Sequence, residues 1–166
     1  MSPSSRLTQL EKILQLRYET LGEAEMDLAM TTNTFDKTAI KQRIREQILP
    51  ELRKYEVEYW NLLAQEAQLC SVEEVDARNS IVQVVREVEL IKKKLNVNYP
   101  DDFMELLLEI RDKLNQPGTP AMAKAKLALP LIPGILSYEL ELDTESSLRR
   151  AFQPIKTLFK GALKKN

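Results

Sequence analysis

From residue 6 onward the apolar positions recur at helical spacing. Leu7, Leu14, Leu21 and Leu28 lie seven apart, and Leu10 and Ala24 fall at the second heptad position. That spacing is a coiled-coil seam, and it predicts a helix over 6–30. Arg17 interrupts the seam, while Ile13 and Tyr18 widen it. Gly22 weakens the middle of this helix by roughly 1 kcal/mol relative to Ala. The run "TTNTFDKT" breaks the pattern and offers turn and N-cap chemistry.

A second helix is expected over 36–69, with Ile40, Ile44, Ile48, Leu52, Tyr55, Tyr59, Leu62 and Leu69 at a 3–4 spacing. Pro50 lies inside it. A proline there deletes one backbone hydrogen bond and predicts a kink near Glu46, or else two shorter helices meeting at Pro50. The first two helices together form an antiparallel hairpin over 1–70. Ser71 and Glu74 have the spacing of a capping box, which opens a third helix running to Lys94. Val75, Val82, Val85, Val88 and Ile91, with Leu95, are its expected buried face. The segment "NVNYPDD" is the next break. Pro100, Asp101 and Asp102 then start a fourth helix carrying Phe103, Leu106, Leu107, Ile110 and Leu114. This helix pair occupies 71–116.

The final third, 117–166, reads as a short helix, an extended arm and a C-terminal amphipathic helix, forming one unit with 71–116. "NQPGTP" is a stop, and Thr119 is placed to cap a helix beginning at Pro120. Pro130, Pro133 and Gly134 then end it. Leu136, Tyr138, Leu140 and Leu142 alternate with Ser137, Glu139, Glu141 and Asp143. Period two is a strand signature, so an arm near 135–143 is expected to be strand-like. It has no second strand to pair with. It either lies extended over helices or pairs with another chain. The last helix, capped by Asp143 or Thr144, buries Leu148, Phe152, Ile155, Leu158 and Phe159, with Pro154 bending or restarting it.

Composition narrows the class. Apolar residues are 43% of the chain, charged residues 30%, and glycine occurs only four times in 166 residues. That supports a helical core and argues against a turn-rich β fold. The fold class expected is all-α. The net charge of −1 gives no field that would recruit nucleic acid. Charge is nevertheless segregated. The tail carries Arg149, Arg150, Lys156, Lys160, Lys164 and Lys165, while 100–143 is acid-rich. A basic amphipathic tail suits a docked terminal helix, an acidic partner or a membrane surface.

Candidate chemistry is sparse. The sequence has no histidine and one cysteine, Cys70. The ordinary Ser–His–Asp and Cys–His arrangements are therefore excluded, and no enzymatic activity is expected. No phosphate-binding glycine loop is present. Glu105, Glu109 and Asp112 share helical spacing but lack the histidine of a carboxylate metal site, so they read as a solvated face. No cofactor or metal is expected. A single thiol fits a reducing compartment, and the N-terminus lacks a signal core, so a cytoplasmic location is expected. "YEVEYW" concentrates Tyr55, Tyr59 and Trp60, either as core or as an interface anchor.

Two segments carry a resemblance. "KTAIKQRIREQILPELRKYEVEYWNLLAQEA", residues 37–67, resembles the helical hairpins near the N-terminus of large cyanobacterial signalling proteins. There an E-Y-W-x-L-L pattern precedes a STAND-type NTPase, a protease or repeats. "KLALPLIPGILSYELELDTESSLRRAFQPIKTLF", residues 126–159, resembles a C-terminal segment of effector-associated modules in the same conflict systems. The resemblance implies an adaptor that joins sensor and effector by homotypic contact, and it carries over no functional residue. The expected function is a non-enzymatic interaction module with a protein partner, either a second copy or an effector. The candidate contacts are Leu7, Leu14, Leu21, Leu28, Tyr55, Tyr59, Trp60, Leu136, Tyr138, Leu140 and Leu142. The alternative is a peripheral membrane or pore-related protein using 126–163.

Overall fold

A computed structural model of the protein describes residues 3–94 and 99–165. The fold is all-α, and the described residues contain no strand. Leu95 and the "NVN" of the break after the third predicted helix lie outside the described residues. Two compact units divide the chain, Met1–Tyr59 and Trp60–Asn166. The division falls earlier than the 70/71 boundary read from the hydrophobic pattern.

In the first unit, α1 (Pro3–Met30) runs out, and α2 (Thr34–Arg43) turns back. The turn is fixed at Asn33, whose side chain accepts the N–H groups of Phe35 and Asp36 at 2.8 and 3.4 Å. These are donors that no helical carbonyl can reach. Helix α2 continues through a π turn (Ile44–Ile48) into α3 (Leu49–Ala67). The Leu49 N–H bonds to the Ile44 carbonyl, five residues back. Pro50 has no N–H for the carbonyl of Glu46, and its ring would crowd that group. Widening the preceding turn relieves the conflict. The helix is thus continuous through Pro50, as the one-helix reading expects rather than two helices meeting there, and a π turn carries it past the proline.

The returning limb is tied to α1 by polar contacts along its length. Arg6 grips Glu58 with a fork, Nε to Oε2 at 2.6 Å and Nη2 to Oε1 at 2.8 Å. That hydrogen-bonded pairing raises the Arg6 pKa and lowers that of Glu58. Arg17 pairs with Glu51 at 3.1 Å and stands over the Tyr55 ring, so it does more than interrupt the seam. Tyr18 donates to the buried Glu56 at 3.1 Å. Tyr59 donates to Glu11 at 3.3 Å; burial first, then that carboxylate, raises the Tyr59 pKa.

In the second unit, α4 (Glu74–Lys94) packs on α8 (Leu142–Lys165) and on α6 (Ala121–Ala128). Helix α5 (Asp101–Leu114) packs on α6 and on α7 (Ile132–Leu136). Fully buried Phe103, Leu107, Ile110 and Leu114 of α5 meet the demand for a core, with Phe152, Ile155 and Phe159 of α8 also buried. A Cβ on Gly134 would approach Leu106 Cδ2 to 3.2 Å, so the missing side chain lets α7 lie close on α5. Gly118 has φ +74°, a left-handed conformation that closes the turn after α5.

Four sequence expectations are corrected here. The buried face of α4 is Ala77, Ile81, Val84, Val88 and Ile91, whereas Val75 and Val82 face outward. Apolar residues surround this helix, and the correct set is the one confined to the narrower sector. The capping box fails because α4 begins at Glu74, leaving Ser71 three residues outside. The Glu74 carboxylate instead accepts the N–H of Ala121 at 2.7 Å and of Met122 at 3.3 Å. It therefore caps α6, whose own N-cap residue, Pro120, supplies no side-chain bond. Thr119 does not cap it.

The strand-like arm is the fourth correction. Pro130 sits in a 3-10 turn (Leu129–Leu131), and Pro133 lies in the first turn of α7. Proline is tolerated at both places because those N–H groups have no helical acceptor. Leu136 ends α7 and Leu142 begins α8, so only 137–141 is non-helical. Tyr138 packs edge-on to Phe103, with ring centroids 5.3 Å apart. The Leu140 N–H points to the Glu145 carboxylate at 3.4 Å.

Candidate interaction surfaces

The seam chosen from the sequence is spent inside the chain. Leu7, Leu14 and Leu21 are buried and Leu28 is half-buried. Tyr59, Trp60 and Leu136 are buried; Tyr55, Tyr138, Leu140 and Leu142 are half-buried. In the chain as folded, these residues do not form an outward apolar face. The leucines of the seam share heptad spacing and those of 136–142 alternating spacing, which marks burial without saying whose surface covers it.

The basic tail is also divided. Arg149 turns inward, with its Nη2 at 3.5 Å from Oε1 of the buried Glu145. Arg150 and Lys164 are exposed, Lys156 and Lys160 are half-buried, and the Lys165 side chain lies outside the described residues. The apolar side of α8, residues Leu148, Phe152, Ile155 and Phe159, is covered by the unit itself. Among the described residues, no helix is long and apolar enough to cross a membrane.

The large apolar residues that do face solvent lie elsewhere. At the turn of the first unit, Met26 is 61% exposed, Met30 77% and Phe35 82%. Met26 and Met30 are one helical turn apart, and Phe35 follows the Asn33 cap across a short turn. Met26 and Met30 fall off the heptad seam, and that mismatch was the available sequence signal for an outward position; Phe35 keeps the seven-residue spacing but lies beyond the turn, in α2.

In the second unit, Val75, Val82 and Leu90 are 60%, 52% and 44% exposed. At about 100° per residue, they occupy one sector of α4 together with Asn79 and Arg86. Beside this stripe, α4 and α8 enclose a groove of about 840 Å³. Asn79, Ser80 and Gln83 line one wall, and Gln153, Thr157 and Gly161 the other. A second groove of about 610 Å³ continues past Gln83 and Arg150 to Lys94 and Ser147. The pairing of low α4 numbers with high α8 numbers shows that these helices run antiparallel.

The polarity of α4 is strongly graded. Glu74 and Asp76 stand in its first turn and Lys92, Lys93 and Lys94 in its last, each matching the sign of charge that the helix end favours. Glu74 is held below the ordinary carboxylate range, chiefly by the Ala121 N–H. Arg111 bridges from α5 to Glu89 at 3.3 Å.

Other chemistry has no comparable surface. Cys70 is buried, and its carbonyl accepts from Lys126 Nζ, as does that of Gln68. Among the described residues, no three carboxylate or thiol side chains converge as a metal site, Glu105, Glu109 and Asp112 included. Comparison with protein-family models, curated proteins and solved structures yields no match in any of the three.

Proposed function

We propose that the protein is a non-enzymatic interaction module, an adaptor or oligomerisation unit of bacterial signalling or defence. The observation that carries this reading is the exposed apolar tip of the hairpin at Met26, Met30 and Phe35. A folded chain keeps large apolar groups in water at a thermodynamic disadvantage, and clustering them marks a contact surface. Methionine adapts its shape to a partner, and an aromatic ring supplies concentrated contact area. The resemblance of 37–67 and 126–159 to cyanobacterial adaptor segments agrees with a sensor or effector as partner.

The test is a photo-crosslinking amino acid at position 35 in living cells, with position 47 as an exposed polar control. A discrete adduct with a signalling protein, or with a second copy, formed only from position 35 and lost in Met30→Asp, is the expected result. Equal adduct patterns from both positions would remove this reading.

A further inference from the structure

We infer that Met26 and Met30 are a site of oxidation by peroxide, and that their oxidation switches off the hairpin tip as a contact surface. This inference rests on the interaction-module reading and gives that surface a chemical control. Sulfur is placed unevenly over the fold. Met26 is 61% exposed and Met30 77%, and the two lie one helical turn apart at the end of α1. Met104 and Met122 are half-buried, and the Met122 sulfur receives the Val72 N–H at 3.4 Å. The single thiol of the chain, Cys70, is buried. A buried structural thiol is inert, and oxidation of sulfur follows its exposure. Among the described residues, the tip therefore holds the most accessible sulfur.

The reaction moves one oxygen atom from hydrogen peroxide to each thioether sulfur. The O–O bond breaks, an S–O bond forms, the sulfur gives up two electrons, and the remaining oxygen leaves as water. The product is a polar sulfoxide in place of an adaptable apolar group. Two sulfoxides beside Phe35 present oxygens that a partner must strip of water without returning their hydrogen bonds, and that desolvation weakens the contact. A partner seated on the tip shields both sulfurs, so the step acts on the free protein. A thiol-dependent methionine sulfoxide reductase reverses it: two thiols join as a disulfide and the oxygen leaves as water.

Hydrogen peroxide titrated into the purified full chain, with mass mapping of its peptides, tests the site. Met26 and Met30 are expected to gain one oxygen each at least about fivefold faster than Met104 and Met122, at unchanged helix content by circular dichroism. Equal rates at all four residues overturn the inference. The crosslinker at position 35 tests the switch. A brief peroxide pulse to the cells is expected to reduce its adduct about tenfold. Met26→Leu with Met30→Leu keeps the tip apolar and removes both sulfurs, so its adduct is expected to persist through the same pulse. An adduct that survives the pulse with both sulfoxides formed overturns the switch and leaves the interaction-module reading standing. Equal loss from the leucine variant does the same. No adduct from untreated cells fails the interaction-module reading itself, and the switch with it.

Discussion

The carboxylate of Glu74 lies 2.7 Å from the backbone nitrogen of Ala121, so a residue in the first turn of α4 caps the first turn of α6. The two residues are separated by a full helix and two breaks in the chain. Glu74 is held ionised mainly by this bond, so its folded pKa lies below its unfolded value. Its stabilisation is then fully present above the ordinary carboxylate range and disappears as pH falls through the depressed folded value. Glu74→Gln should melt at lower temperature than wild type near neutral pH, and the gap should close on acidification. A gap that stays constant with pH would refute the assignment.

The ion pair of Glu145 and Arg149 is well enclosed, with side chains 3% and 12% exposed. Truncating Glu145 to Ala removes a buried carboxylate partner of Arg149 and the acceptor of the Leu140 N–H. Urea denaturation should show a loss of about 3 kcal/mol, in the range for breaking a buried pair from one side. Arg149→Met, which removes the other charge, should recover part of the loss in the double variant.

Leu140→Pro discriminates the bend from a strand-pairing arm. The structure assigns the Leu140 N–H an intramolecular acceptor, so the proline should cost about 1 kcal/mol of stability for one lost hydrogen bond. Any self-association measured by sedimentation should persist in this variant. Loss of association with unchanged stability would show that 137–141 contacts another chain.

Two glycines should respond to alanine in opposite directions. Gly22 lies inside α1 with open space where a Cβ would stand, so Gly22→Ala should raise stability by about 1 kcal/mol through helix propensity. Gly118 also has open space, but its φ of +74° penalises any side chain. Gly118→Ala should therefore lower stability by about 1 kcal/mol or more, as expected for a forced left-handed residue. Chemical denaturation of both variants measures the contrast.

Helix existence was legible because this chain punctuates its helices with strong signals. Asn33, Pro100 and the "NQPGTP" run each mark a real break. The π turn is also written in the spacing. Ile40, Ile44, Ile48 and Leu52 are each four apart. Every step of four overshoots one α-helical turn by about 40°, so three steps carry the stripe about 120° around a regular helix. A widened turn at Ile44–Ile48 brings these residues back towards one side, and Ile44, Ile48 and Leu52 are all buried. The candidate surface was less legible. Val75 and Val82 look like core residues by type, and only the packing of α4 on α6 and α8 decides which of its apolar sides is covered. The Glu74 cap was likewise hidden, because local spacing offers Ser71 while the acceptor's real donors lie 47 and 48 residues away.

The eight residues of α6 are too few to hold a helix in water unaided. Its first N–H groups are held by Glu74, and its Lys126 reaches out to the carbonyls of Gln68 and Cys70 just beyond α3. Loosening the start of α4 therefore also loosens α6. The amides of the two segments should exchange with solvent deuterium as one cooperative group, with α6 showing protection that its own length could never supply.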